Sequence, residues 1–215
     1  MLSYLRRMRP YALIVLPVLS GVWLAGGVTL IGALTANYSH VSQFMSALGA
    51  EDAPYKDWTN YGVFIPTELL LLAFIAELKG YLSAPRRALM SLLLLSSYAI
   101  LLLAAAFLPC DAGCRWDGAN SAPSLSHVAH MTIATIAYPI AILGVLLLSF
   151  AVWQSRTLRS ISLATALVGA CFYAAIALWP DAQGLFQRAL EAWIYAQMIL
   201  IGRYVFAKPD APNAG

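Results

Sequence analysis

Charge is what this sequence has least of. Asp, Glu, Lys and Arg make up 11% of its 215 residues, against about 25% in a soluble domain. That is too little polar surface to cover a water-facing globule, so that class is excluded. Chain outside the apolar stretches is also scarce, which leaves no room for a separate soluble domain. The net charge of +3 is not gathered into a basic patch. The cations sit at the ends of apolar segments, and nucleic acid is excluded as a partner. No internal repeat emerges when residues 1–105 are laid against 106–215, so an inverted-repeat transporter has no support. A cleavable leader is not expected either. Arg6, Arg7 and Arg9 precede the apolar run from Tyr11 to Leu34, but that run exceeds a signal core. It ends in Ala33-Leu34-Thr35-Ala36-Asn37, without a small-x-small cleavage site before a mature domain. It reads as a first membrane helix that stays.

What is present is apolar length. A helix needs about 20 apolar residues to cross a bilayer, and six segments qualify, at 11–34, 61–83, 88–108, 127–153, 161–179 and 185–206. The fold class is therefore all-α: a polytopic bundle of six transmembrane helices in one domain, 1–208, with membrane lipids around it. A short polar tail, 209–215, is expected to be disordered. Pro10, Pro85, Pro109 and Pro180 mark segment ends, whereas Pro17, Pro66 and Pro139 lie inside segments. Kinks are expected at those three, tolerable where neighbouring helices satisfy the freed carbonyls.

Lys and Arg give the orientation. Arg6, Arg7, Arg9, Lys79, Arg86, Arg87, Arg156, Arg159, Arg203 and Lys208 fall on one side, and only Lys56, Arg115 and Arg188 on the other. By the positive-inside rule both termini are cytoplasmic, in a bacterial inner membrane. Tyr55, Trp58, Tyr61, Trp116 and Trp179 mark the outer interface, and Tyr4, Tyr11, Tyr81, Trp153 and Tyr204 the inner one. Gly21, Gly26, Gly27 and Gly32 give the first helix a small-residue surface for close approach.

The short basic inner loops contain nothing resembling a site. The outer loops, 35–60 and 109–126, are longer and hold half of the acids, His40, Cys110 and Cys114. In the first, residues 39–49 show helical spacing of Val41, Phe44 or Met45, and Leu48, with Ser39 as N-cap and Gly49 after the end. A short amphipathic interfacial helix is expected there, with His40, Ser42, Gln43 and Ser46 on its polar side. Glu51-Asp52-Ala53-Pro54 then makes a turn. In the second loop Cys110 and Cys114 face an oxidising compartment and favour a disulfide. A redox-active or metal-binding pair is the alternative, although the spacing is CxxxC. Cys171 reads as core packing.

Chemistry at the outer face centres on few residues. His127 and His130 share a helix face one turn apart. With His40 or Asp111 they can make a three-ligand metal set with an open position, as catalytic zinc uses; hydrogen-bonded interfacial histidines are the plainer reading. Glu68 and Glu191 lie inside spans, where a charge costs at least about 2.5–3.5 kcal/mol, so both must face the bundle interior. Arg188 stands three residues before Glu191 and Gln187 four before it, so an Arg188–Glu191 ion pair is expected. Glu68 has no local partner and must be neutral or meet His130, Arg188 or another polar group.

His40-Val41-Ser42-Gln43-Phe44-Met45-Ser46-Ala47-Leu48-Gly49-Ala50, with Ala53-Pro54 and Asn60-Tyr61-Gly62, resembles the bacterial membrane family known as domain of unknown function 998. So do Pro109-Cys110-Asp111, Gly113-Cys114, His127 and Gly184-Leu185-Phe186-Gln187-Arg188. The resemblance spans about residues 10 to 206 and implies a six-helix bundle of this topology, with no established activity to carry over. Ser46, Asp111, His127 and Arg188 match its recurrent polar positions. The chain is also similar, in chemistry rather than sequence, to the alkaline ceramidase and progestin-receptor superfamily, which holds zinc with three histidines, an Asp and a Ser. That superfamily has seven helices and an HxxxH in the last.

Two functions follow from these residues. One is an outer-face site for metal-assisted hydrolysis or binding of a lipid or amphiphile. Zinc would sit on His40, His127 and His130, with Ser46, Asp111 and Glu68 catalytic and Arg188 and Glu191 holding substrate. The other is a non-enzymatic carrier or assembly protein in which the same groups form a structural network and Glu68 is a proton or cation site. A thiol oxidoreductase using Cys110 and Cys114 is a third, weaker class.

Overall fold

The structure is a computed structural model that describes residues 2–82, 86–115 and 122–207. The expected features at Pro85, Trp116 and Lys208 and in the 209–215 tail lie outside those residues. Six long helices carry the fold: α1 (Leu2–Leu34), α2 (Ile65–Lys79), α3 (Arg86–Ala106), α4 (Leu125–Val152), α5 (Arg156–Leu178) and α6 (Gln183–Phe206). A π-helical stretch, Trp58–Phe64, leads straight into α2. With α2 taken together with its lead-in, their bounds fall within a few residues of the expected spans except that α1 begins at Leu2 rather than at Tyr11, and no strand occurs among the described residues. Helices are the form in which a chain can satisfy its backbone polar groups in hydrocarbon.

Each helix packs on its chain neighbour, and α6 closes the ring against α1 while also touching α4. Tyr11 of α1 stacks on Phe206 of α6 with ring centroids 5.3 Å apart, so the two ends of the helical chain lie at the same end of the bundle. Large apolar side chains such as Val22, Leu30, Leu167 and Leu178 are exposed around the outside, as a lipid-facing surface requires. Five of the six, counting α2 with its π-helical lead-in, are long and apolar enough to cross a membrane. The sixth, α6, carries Arg188, Glu191 and Arg203, and it turns Gln187 and Glu191 into the bundle, where both are buried.

Of the three prolines inside spans, two have their freed carbonyls bonded by a side chain of another helix and the third has its carbonyl closely approached by a helix backbone. Pro17, Pro66 and Pro139 cannot donate to the carbonyls four residues back, at Leu13, Gly62 and Thr135. The Trp23 indole Nε1 donates to the Gly62 oxygen at 2.9 Å, and the Tyr173 hydroxyl donates to the Thr135 oxygen at 2.9 Å. The Leu13 oxygen is met by the α6 backbone at Gly202, where an added Cβ would lie 2.0 Å from it. The small-residue surface of α1 is more divided than expected. Gly21, Gly27 and Gly32 face Tyr195, Val63 and His40, but Gly26 has nothing within 4 Å of a built Cβ and takes no part in packing.

At the end with the longer loops, the segment after α1 dives into the bundle rather than lying on its surface. Its helix is a short 3-10 turn, Met45–Gly49, with Met45, Ala47, Leu48 and Gly49 buried. The loop is held through its backbone. The Met45 amide donates to Gln187 Oε1 at 2.8 Å, while Thr59 Oγ1 and Asn60 Nδ2 each donate at 2.9 Å, to the Leu48 and Gly49 oxygens. The expected surface helix over 39–49 is thereby corrected: polar partners from α6 and the π-helical stretch bind carbonyls and amides that a regular helix would have used itself. Beside it Cys110 and Cys114 form a disulfide, with Cα atoms 5.1 Å apart. Cys171, expected in the core, is exposed on α5.

Candidate functional site

Glu68 stands in the first turn of α2 and Glu191 on α6, on elements 123 positions apart in sequence (191 − 68). Both are about 5% exposed or less. They line one cavity of about 60 Å³ together with Ser46, His130, Tyr138 and Gln187. That space holds a few waters or one small cation. Tyr98 donates its hydroxyl to Glu191 Oε2 at 2.8 Å. Tyr138, which accepts from Gln187 Nε2 at 3.0 Å, also interacts with the Glu191 carboxylate. Tyr195 lies 3.1 Å from Ser20 Oγ and acts electrostatically on Glu68, as Glu191 does. Among the described residues neither glutamate has a Lys or Arg within ion-pair distance, and Glu68 Oε2 is buried with no hydrogen-bond partner.

The histidines do not join this arrangement as a set. His40 rests edge-on against Tyr38, centroids 5.1 Å apart. Burial and then the nearby Arg188 charge lower its imidazole below the ordinary histidine value. His127 Nδ1 accepts from the Asp111 amide at 3.1 Å. His130 presents Nδ1 to the Leu108 and Ala105 oxygens at 2.8 and 3.0 Å. The zinc set of His40, His127 and His130 is therefore not assembled, because each ring is engaged by a different piece of the loops and helix ends. Among the described residues the one group at metal-ligand separations is Cys110, Cys114 and His130, and its two sulfurs are bonded to each other.

Asp111 and Ser46 are taken up by the loops. Asp111 Oδ2 accepts from the Ser124 amide at 2.9 Å, and Ser124 in turn caps α4 by accepting from His127 N at 3.1 Å. Ser46 Oγ lies 3.2 Å from Cys114 Sγ while lining the acid cavity. Hydrogen bonds from Ser124 hold the Asp111 carboxyl below the ordinary value of 3.8. A carboxylate favoured by folding stabilises above its unfolded value and loses that contribution as pH falls through the folded one. Amide exchange at Ser124 is therefore expected to stay slow above about pH 4 and to lose its protection progressively below it, as read by hydrogen exchange corrected for intrinsic rates. Protection unchanged down to about pH 2 contradicts it.

Arg188 corrects another expectation. It does not pair with Glu191 but reaches back over the end of α6. Nη1 donates to the Gly184 oxygen at 2.9 Å and the Gln43 oxygen at 3.1 Å, and Nη2 donates to the Tyr38 hydroxyl. Long side chains on a helix lean toward its N-terminus, which carries the guanidinium away from Glu191, one turn further on. Arg188→Ala is expected to cost about 2–3 kcal/mol, since it removes three hydrogen bonds from a charged donor, to the Gln43 and Gly184 oxygens and the Tyr38 hydroxyl, and to expose the 35–57 loop to protease. Arg188→Lys, lacking the planar fork, should recover less than half of that. Wild-type digestion rates in Arg188→Ala count against the clasp.

The site residues that sequence reasoning missed are Tyr98, Tyr138, Tyr195 and Ser20. A signal did exist: these tyrosines fall in mid-span, outside both interfacial belts, where a hydroxyl needs a partner. The profile of a family described as protein of unknown function (DUF998) matches residues 18–204. No curated protein and no solved structure matches the chain.

Proposed function

We propose, for a chain that belongs to the DUF998 family of proteins of unknown function, that it is a non-enzymatic membrane carrier which binds a small cation at Glu68 and Glu191. The observation behind this reading is that two buried carboxyls share one small cavity, with no Lys or Arg within ion-pair distance among the described residues. Such a pair in a low-dielectric interior does not sustain two bare charges, each costing several kcal/mol. It carries one more positive charge: a proton when empty, a cation when loaded. The Tyr98 and Tyr138 hydroxyls fix the Glu191 carboxylate, and Gln187 fixes Tyr138. Glu68, with an oxygen unengaged, is the arm left free to close on the ligand.

The hydrolase alternative loses its metal set, because the three histidines are dispersed. The basic-residue bias supports a bacterial inner membrane with both termini cytoplasmic, so the loops around Ser46 and Cys110 face outward and the cavity is served from that side. The test is uptake by proteoliposomes under an imposed gradient of protons, sodium or ammonium. Saturable uptake of one of these above protein-free liposomes is expected, and its absence in the double variant Glu68→Gln/Glu191→Gln. No uptake of any of the three overturns the reading.

A further inference from the structure

A proton or a bare metal ion leaves most of the outer-face cavity system without a purpose. A groove of about 770 Å³ opens beside α4 and α5, with Arg115 and Asp181 among its lining residues and Thr135, Ile136 and Ile176 along its walls. A second cavity, of about 70 Å³, shares Phe44, Met131, Thr135 and Ile176 with that groove. The same cavity shares Ser46, Ala134, Tyr138 and Gln187 with the chamber that holds Glu68 and Glu191. The three spaces are therefore successive: groove, throat and acid chamber.

Their chemistry changes along that line. Arg115 and Asp181 oppose each other in sign, so the groove does not select by net charge. Its volume is that of a site for a small organic molecule. The throat is lined by aromatic rings, Phe44, Tyr138 and Tyr173, the two tyrosines with centroids 6.5 Å apart. Its oxygens, on Ser46, Thr135, Gln187 and the two tyrosines, are spread among those rings and the apolar Met131, Ala134 and Ile176. Aromatic faces suit an alkylammonium, whose charge is spread over a weakly hydrated head. Two carboxyls wait at the bottom.

We infer that the ligand is an organic primary ammonium, its apolar body in the groove and throat and its charged head between Glu68 and Glu191. This rests on the acid-pair reading above. Arg188 does not oppose the head along the route, because its guanidinium is held by Tyr38, Gln43 and Gly184.

Benzylammonium is the probe, measured by equilibrium binding of the radiolabelled compound to the full chain in nanodiscs, with ammonium as competitor and benzyl alcohol as the uncharged control. Saturable benzylammonium binding is expected, about tenfold or more tighter than ammonium because a phenyl group is buried, with no competition from benzyl alcohol. Thr135→Trp fills the wall shared by groove and throat without touching the acid chamber. It should weaken benzylammonium about tenfold or more and leave ammonium within about twofold. If Thr135→Trp does not give a monodisperse protein, Ile176→Trp takes its place on the opposite helix. Ammonium binding lost in Glu68→Gln, with benzylammonium no tighter than ammonium or indifferent to the tryptophans, overturns the inference and leaves the acid-pair reading standing. Binding of neither cation by the wild type overturns both.

Discussion

Replacing Glu68 by Gln is expected to abolish cation uptake and, in the same protein, to raise the stability of the folded bundle. The two effects have one cause. Glu68 is buried with an oxygen that meets no donor, and its nearest strong electrostatic neighbour is a second carboxylate, Glu191. An arrangement of this kind opposes folding, and removing the charge at constant shape is neutral or stabilising. Gln adds an amide N–H facing Glu191 and should contribute about 1 kcal/mol. A network selected for packing alone predicts the opposite sign, since there each polar replacement removes a satisfied contact. Reversible unfolding in detergent, run beside the uptake assay, separates the two. A variant that is destabilised by more than about 1 kcal/mol while still transporting removes Glu68 from the site.

The second large effect is at Gly202. A Cβ there would sit 2.0 Å from the Leu13 oxygen and 3.1 Å from its carbon. Both are backbone atoms, with no rotamer to move. Leu13 is itself buried, so relief has to come from parting α1 and α6 along their contact. Gly202→Ala is expected to cost about 3 kcal/mol and to lower detergent-solubilised yield. Gly26→Ala is the matched control on the same α1: nothing lies within 4 Å of its built Cβ, and the change should be neutral or stabilising by up to about 1 kcal/mol through helix propensity. Equal effects at the two glycines would mean that close approach of α1 and α6 is not what holds the ring closed.

Helix positions can be read in the sequence because apolar length is a one-dimensional property, and apart from the start of α1 the helices end within a few residues of where that length places them. Even α6, too polar to qualify by composition, was visible from its length and its flanking Pro180. Glu68 and Glu191 stood out singly for the same reason: a charge inside an apolar run is conspicuous. Their meeting was not visible, because it depends on how α2 and α6 are rotated about their own axes, which spacing within one helix does not set. Residue spacing along α6 suggests an Arg188–Glu191 pair only because spacing omits the lean of side chains toward the helix N-terminus. The three histidines were grouped because all were expected at one face, yet a face is wide compared with a metal's coordination radius. In the loop after α1, Gln187 and Asn60 bind the segment from other elements, and a helical pattern of 11 residues does not reveal that competition.

The carbonyls left open by Pro17, Pro66 and Pro139 have a mechanical consequence. Apolar helix faces in lipid slide past one another at little cost, because the bilayer solvates leucine as well as another helix does. Trp23 on Gly62, Tyr173 on Thr135 and the Gly202 backbone against Leu13 each pin one helix to another at a fixed height. The two hydrogen bonds oppose a slide of α1 against α2 and of α4 against α5, and the close backbone approach opposes one of α1 against α6. What remains is a rocking motion about those pins. The Tyr173 pin sits beside the throat, so a small tilt of α5 about it would widen the passage like a door on its hinge while the register of the bundle stays unchanged.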